Sequence, residues 1–188
     1  MSKSENKEKS YAIIGFGIIG QALAKAFARK GIEVSVATTR DPESFAADAA
    51  AIGPTILPTT LAEAVKADII FLAVRFGSHA DVAKALPDWQ GKTIVDVTNA
   101  YGVPPEQLGG QPSARVVAQA FTGSKLVKGF NHLAAAVLEQ DPAAPYLLSR
   151  GRWHWGYGKV GVHAPVKRFE SNVGREVARK RDVDDSID

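Results

Sequence analysis

The chain of 188 residues contains no cysteine, which excludes disulfides, thiol nucleophiles and thiolate metal sites; no metal site of any kind is expected. It also lacks long apolar runs. None approaches the roughly 20 residues that a membrane-spanning helix needs, so no membrane association is expected. The opening Met1 to Ser10 is polar throughout and carries no secretory-type apolar segment. Residues 1–10 are therefore expected to form a flexible leader on a cytoplasmic protein. A one-sided charge is missing from most of the chain as well. Met1 to Ser149 carries 14 Lys and Arg against 14 Asp and Glu, whereas Arg150 to Asp188 carries 9 against 6. A phosphate-backbone partner needs a basic face, so nucleic acid is disfavoured and would have to be met by the tail. The length suits one domain, or one domain with an appendage.

What the chain does have is Tyr-Ala-Ile-Ile-Gly-Phe-Gly-Ile-Ile-Gly, from Tyr11 to Gly20. Four strand-forming residues run into Gly15, Gly17 and Gly20, and an amphipathic helical pattern continues from Gln21 to Lys30 before Gly31. Strand, tight turn and helix in that order are the context that a dinucleotide-binding glycine pattern requires. Gly15 permits the turn, Gly17 lets backbone approach a pyrophosphate, and Gly20 lets the helix pack close on the strand. Phe16, Ile18 and Ile19 complete the loop that would face the phosphates, where the positive end of the helix dipole favours an anion.

Ile32 to Ala37 reads as the second strand. An acidic residue at its end would bind the ribose hydroxyls of NAD, but the chain has Thr38, Thr39 and Arg40 there. Two hydroxyls and a cation suit a 2′-phosphate, so NADP(H) is the expected cofactor; otherwise Arg40 is a solvated residue ahead of the next helix. That helix is expected to start at Asp41 as N-cap, with Pro42 at its first position, and to run to about Ala51. Thr55 to Leu57 is a short third strand, and Thr60-Leu-Ala-Glu63 has the form of a capping box. Asp68 to Val74 is continuously apolar after its first residue, as a strand buried on both faces must be.

Ligands of open α/β sheets bind at the carboxyl edge of the strands. Ala73, Val74, Arg75 and Phe76 occupy that edge after the fourth strand. Phe76 is placed to pack beside a nicotinamide or simply in its loop; Arg75 to meet phosphate, an acidic substrate or solvent. His79 is a candidate proton donor, though better read as the start of a helix over Ala80 to Leu86. Lys92 to Asn99 is the fifth strand. Asn99, beside Thr98, is suited to a ribose or a carboxamide, or to a plain turn, and Asp96 reads as a buried structural carboxylate. Ser113 to Phe121 is helical, Lys125 to Phe130 is strand six, and Asn131 and His132 follow it before a helix from about Ala134 to Gln140. Alternating strands and helices define an α/β class: a Rossmann-type doubly wound parallel sheet with helices on both faces and strand order 3-2-1-4-5-6.

With these pieces together, Tyr11 to about Pro142 resembles the NADP oxidoreductases grouped with coenzyme F420-dependent NADP reductase. Ile13 to Gly20, the Thr38-Thr39-Arg40 turn, Phe71 to Val74, Val95 to Asn99 and Val127 to Asn131 carry the likeness. The resemblance implies a 2′-phosphate at Thr38 to Arg40 and a nicotinamide near Ala73 to Phe76 and Asn131. It further implies direct hydride transfer with a deazaflavin (coenzyme F420), a flavin or another flat small-molecule acceptor, and a homodimer. Arg75 stands where many relatives have Pro, and His132 where a small hydroxyl residue is common; His132 would contact substrate or cap the next helix. Pyrroline-5-carboxylate reductase has a similar first domain, but its helical second domain has no counterpart in this short, polar tail. A non-catalytic NADP-sensing module acting through a protein partner is the other functional class open at this point. The expected organisation is a leader over 1–10, an NADP-binding domain over 11–145, and an irregular, partly ordered tail over 146–188. In that tail Trp153, Trp155 and Tyr157 stand among Gly and Arg.

Overall fold

The computed structural model describes residues 8–141. Most of the expected leader and the whole expected tail, with Trp153, Trp155, Tyr157 and a short helix foreseen over Glu170 to Lys180, lie outside the described residues. Six parallel strands form one sheet: β1 (Tyr11–Ile14), β2 (Val34–Ala37), β3 (Ile56–Pro58), β4 (Ile69–Leu72), β5 (Thr93–Asp96) and β6 (Lys125–Lys128). Their order is β3-β2-β1-β4-β5-β6, the expected doubly wound arrangement. The order reverses at β1, which pairs with β2 on one side and β4 on the other, so a crevice opens at the carboxyl ends of β1 and β4.

Period-2 alternation distributes the apolar residues over both faces of the sheet. Ala12, Ile14, Ile70, Leu72 and Ile94 join one cluster with Val82, Trp89, Val117 and Phe121. Ile13, Val34, Val36, Phe71 and Val95 join the other with Leu23, Phe27 and Phe45. Helices α1 (Ile18–Arg29) and α2 (Ala46–Ile52) supply the second cluster; α3 (Leu61–Ala64), α4 (His79–Ala83) and α5 (Ser113–Ala120) supply the first. Each fully buried Ile or Phe contributes roughly 1.5–3 kcal/mol. Trp89 is buried edge-on to Phe121 at 4.7 Å and donates its indole N–H to the Ala83 carbonyl at 3.0 Å, which closes the far end of the first cluster. A last short helix, α6 (Ala135–Leu138), lies on α1. Lys25 Nζ meets Glu139 Oε1 at 3.0 Å, and Arg29 donates to the Glu139 and Gln140 carbonyls.

Several local expectations are corrected. Asp41 stands at the N-cap position in an extended conformation, yet its side chain makes no capping bond. Its carbonyl instead accepts from both the amide and the hydroxyl of Ser44, which winds Pro42–Phe45 into a 3-10 turn; the α-helix starts only at Ala46. The helix after β4 ends at Ala83 rather than Leu86, and is preceded by a 3-10 turn over Phe76–Ser78. His132 does not cap α6, whose N-cap is Ala134. At α3 half of the capping box forms. Thr60 Oγ1 accepts from the Glu63 amide at 3.3 Å, while the Glu63 carboxylate takes Lys66 at 2.7 Å. Thr60→Ala is expected to lose about 1 kcal/mol in a urea melt. An unchanged midpoint would show that the Thr60 hydroxyl does not hold the start of α3.

Candidate functional site

The three loop glycines are required for three different reasons. Gly15 has φ +104°, and a Cβ there would lie 2.3 Å from the Ala73 carbonyl oxygen, because β1 hands over to the loop against the end of β4. At Gly20 a Cβ would lie 1.9 Å from the Gly15 carbonyl oxygen, so only glycine lets the first turn of α1 sit on the loop. Gly17 differs: a Cβ there would meet nothing within 4 Å. Its bare face is turned to open space, where an approaching group would find backbone. Gly17 is also the N-cap of the 12-residue α1, which has no side-chain cap and no acidic residue in its first turn. A helix of this length with an uncapped, acid-free N-terminus favours an anion there. Ile18, 75% exposed, and half-buried Ile19 flank the same opening.

At the end of β2, Thr38 Oγ1 accepts from the Arg40 amide at 2.9 Å and so bends the chain back on itself. Thr39 and Arg40 are exposed. The Arg40 guanidinium lies over the ring of Phe45, 5.8 Å from its centroid, and no carboxylate among the described residues forms an ion pair with it. Phe45 in turn packs on Phe16 at 5.5 Å. One buried ring therefore ties the glycine loop to the cation at the next strand end.

On the opposite side of the switch point a cleft of about 290 Å³ opens at the carboxyl ends of β4, β5 and β6. It brings together Ile19, Ala73, Val74, Asn99 and Asn131, five residues that the sequence pointed to from four separate segments. Asn99 Nδ2 donates to the Asn131 carbonyl at 3.3 Å and so joins two of these strand ends. Val97, Thr98, Phe130 and Leu133 also line it. Phe130 has φ +62°, a left-handed conformation that costs a non-glycine residue about 1–2 kcal/mol. Its ring packs near Phe71 at 6.1 Å, and the reversed backbone turns Asn131 toward Asn99. Nothing in the local sequence marks a Phe for that conformation. Asn131 itself, directly after it, was legible.

Four candidates from these strand ends lie outside the cleft. Phe76 is buried in the first core cluster and its ring packs on His79 at 4.8 Å. His79 is buried too, with its Nδ1 against the Phe76 carbonyl, so neither side chain lines the cleft. The 3-10 turn is what rotates both inward. Arg75 and His132 are exposed and line it no more than these. Asp96 is, as expected, a fully buried carboxylate with hydrogen-bond partners.

The strand order, the glycine turn and the crevice beside it define a Rossmann domain of the dinucleotide-binding type. The family described as NADP oxidoreductase coenzyme F420-dependent matches residues 10–100, and the chain belongs to that family. The matched span contains β1 to β5 and the cleft residues Ile19, Ala73, Val74 and Asn99. Among solved structures, the hypothetical protein SMa0349 of Sinorhizobium meliloti is 38% identical, with a TM-score of 0.69 over 74% of this chain and 70% of its own. A protein of Arthrobacter sp. FB24, described as an F420-dependent NADP reductase, is 24% identical, with a TM-score of 0.56 over 69% of this chain and 66% of its own. The imine reductase BcSIRED of Bacillus cereus BAG3X2 is 25% identical, with a TM-score of 0.50 over 69% of this chain. The chain spans 43% of that enzyme's length. No curated protein matches the chain.

Proposed function

We propose that the protein binds NADP(H) across the carboxyl edge of its sheet and transfers a hydride between it and a small, flat, conjugated acceptor of the deazaflavin (coenzyme F420) or flavin type. The cleft beside the glycine loop carries this reading. It lies two to four strand positions from the Thr38–Arg40 turn, a separation of roughly 10–20 Å at the usual strand spacing, with the uncapped start of α1 between them. An extended dinucleotide fits that span. Its 2′-phosphate would meet Arg40 and the hydroxyls of Thr38 and Thr39, its pyrophosphate the backbone at Gly17, and its nicotinamide the cleft. Ala73 and Val74 offer apolar contact to the ring, and the side-chain amides of Asn99 and Asn131 suit a carboxamide or ribose.

NADP(H) would supply the hydride. The chain's own part is to align two rings and exclude water, because no ionisable side chain among the described residues lines the cleft. Positioning of this kind speeds a reaction without a proton donor, and suits an acceptor whose protonation solvent can complete. Titration of NADPH and NADH by fluorescence, followed by a screen of deazaflavin, flavin, quinone and imine acceptors, tests it. NADPH binding with turnover on a deazaflavin or flavin is expected. Tight NADPH binding without transfer to any acceptor would leave a nucleotide sensor instead, and turnover on imines alone would replace the acceptor class.

A further inference from the structure

Behind the cleft lies a pair of opposite charges for which the proposed hydride transfer has no use. Asp96, the last residue of β5, has no exposed surface, and its in-register neighbour on β6 is Lys128. Lys128 Nζ donates to Asp96 Oδ2 at 2.9 Å and to the Thr98 carbonyl at 2.6 Å. The other carboxylate oxygen, Oδ1, accepts from the Thr98 amide at 2.9 Å and from its hydroxyl at 2.7 Å. All three polar groups of Thr98 are thereby engaged by this one pair. Thr98 lines the cleft and precedes Asn99.

The place where this happens is where β5 leaves the sheet. The Val97 amide still bonds to the Leu72 carbonyl of β4, but the next amide turns back to the carboxylate two residues earlier, a local side-chain bond that competes with the ladder. The apolar run could otherwise continue as strand. Stability alone is a poor reason for such a device, since a buried ion pair is often matched or bettered by apolar residues of similar volume. What the pair does supply is a link: Lys128 reaches over from β6 and joins the end of that strand to the end of β5. The Asn99 to Asn131 bond crosses the same two ends.

We infer that Asp96 and Lys128 are positioning residues that hold Thr98 and Asn99 against Asn131 and so set the shape of the nicotinamide pocket. This rests on reading the cleft as that pocket. The test compares NADPH with 2′-phospho-ADP-ribose, which keeps the adenosine, 2′-phosphate, pyrophosphate and second ribose but has no nicotinamide. In Lys128→Met the affinity for NADPH is expected to fall about tenfold, with that for 2′-phospho-ADP-ribose held within about twofold; Lys128→Arg should recover part of the loss. Equal losses for both ligands, or no loss, overturn the inference. Because Lys128→Met leaves a buried carboxylate without its cation, the double variant Asp96→Leu/Lys128→Met provides the companion measurement with no stranded charge. It should fold and show the same selective loss; full discrimination in that variant would sink the idea. Wild-type protein that binds neither ligand would overturn the nucleotide reading, and this inference with it.

Discussion

Gly15→Ala is expected to cost roughly 2–6 kcal/mol of folding stability, the sum of a left-handed backbone forced on a side chain and a steric clash, and to abolish NADPH binding. Both causes act at one atom. The residue has φ +104°, and its Cβ would stand 2.3 Å from the Ala73 carbonyl oxygen and 2.7 Å from the carbonyl carbon. Those atoms are backbone at the end of β4, so no side chain can swing away. Relief requires moving β1 from β4 or unwinding the loop, and the loop also bonds to β2 through the Gly15 amide and the Ala37 carbonyl at 2.8 Å. Domains have only about 5–15 kcal/mol to lose, so a large drop in urea midpoint should be plain. Gly17→Ala separates fold from function. Its Cβ meets nothing within 4 Å, so stability should fall only by the roughly 0.5–1 kcal/mol that alanine costs at a helix N-cap, while NADPH affinity falls at least about tenfold, because the methyl occupies the space offered to the pyrophosphate. Unchanged affinity in Gly17→Ala would remove the phosphates from this loop.

The contrast between those two glycines also marks what the sequence made legible. Order and spacing of strand, glycines and helix were enough to assign each glycine a separate task, and alternating apolar runs were enough for the strand order. Lengths were overestimated for a physical reason. Ala73 and Val74 after β4, and Val97 and Thr98 after β5, continue the apolar or β-rich run but lie past the ends of the strands and line the cleft, although the Ala73 and Val97 amides still donate to the neighbouring strands. Composition cannot separate a residue paired in a sheet from one packed just beyond it. Phe76 and His79 stood at the right edge and were still not in the cleft, since a three-residue 3-10 turn decides which way both rings face. The Asp96 to Lys128 pair was half legible. An acid in an apolar strand announces a buried partner, but the partner's identity is a matter of long-range register between β5 and β6, which local sequence does not contain.

Arg40→Ala is expected to reduce NADPH affinity by roughly 10- to 150-fold, the worth of one hydrogen-bonded charge of about 1.5–3 kcal/mol, with NADH affinity unchanged. The direction follows from the surroundings of the guanidinium. No carboxylate among the described residues forms an ion pair with it, so no salt bridge within the described residues must break before it meets a phosphate. Its face rests over Phe45 at 5.8 Å, an attraction of about 0.5–1 kcal/mol at an exposed site, which limits the rotamers to be frozen on binding. Phe45 is itself held by Phe16, so the cation is registered to the glycine loop, and through it to the place expected for the pyrophosphate. Arg40→Lys should recover only part of the loss, because an ammonium lacks both the planar stacking on Phe45 and the paired donors that match phosphate oxygens. Raising the salt should narrow the gap between wild type and Arg40→Ala, since an exposed charge contact is screened over about 8–10 Å. Equal losses for NADPH and NADH would show that Arg40 acts through the fold of the Thr38–Arg40 turn. Phe45→Leu distinguishes that case further: it removes the shelf but keeps the charge, and is expected to weaken NADPH binding by no more than about fivefold.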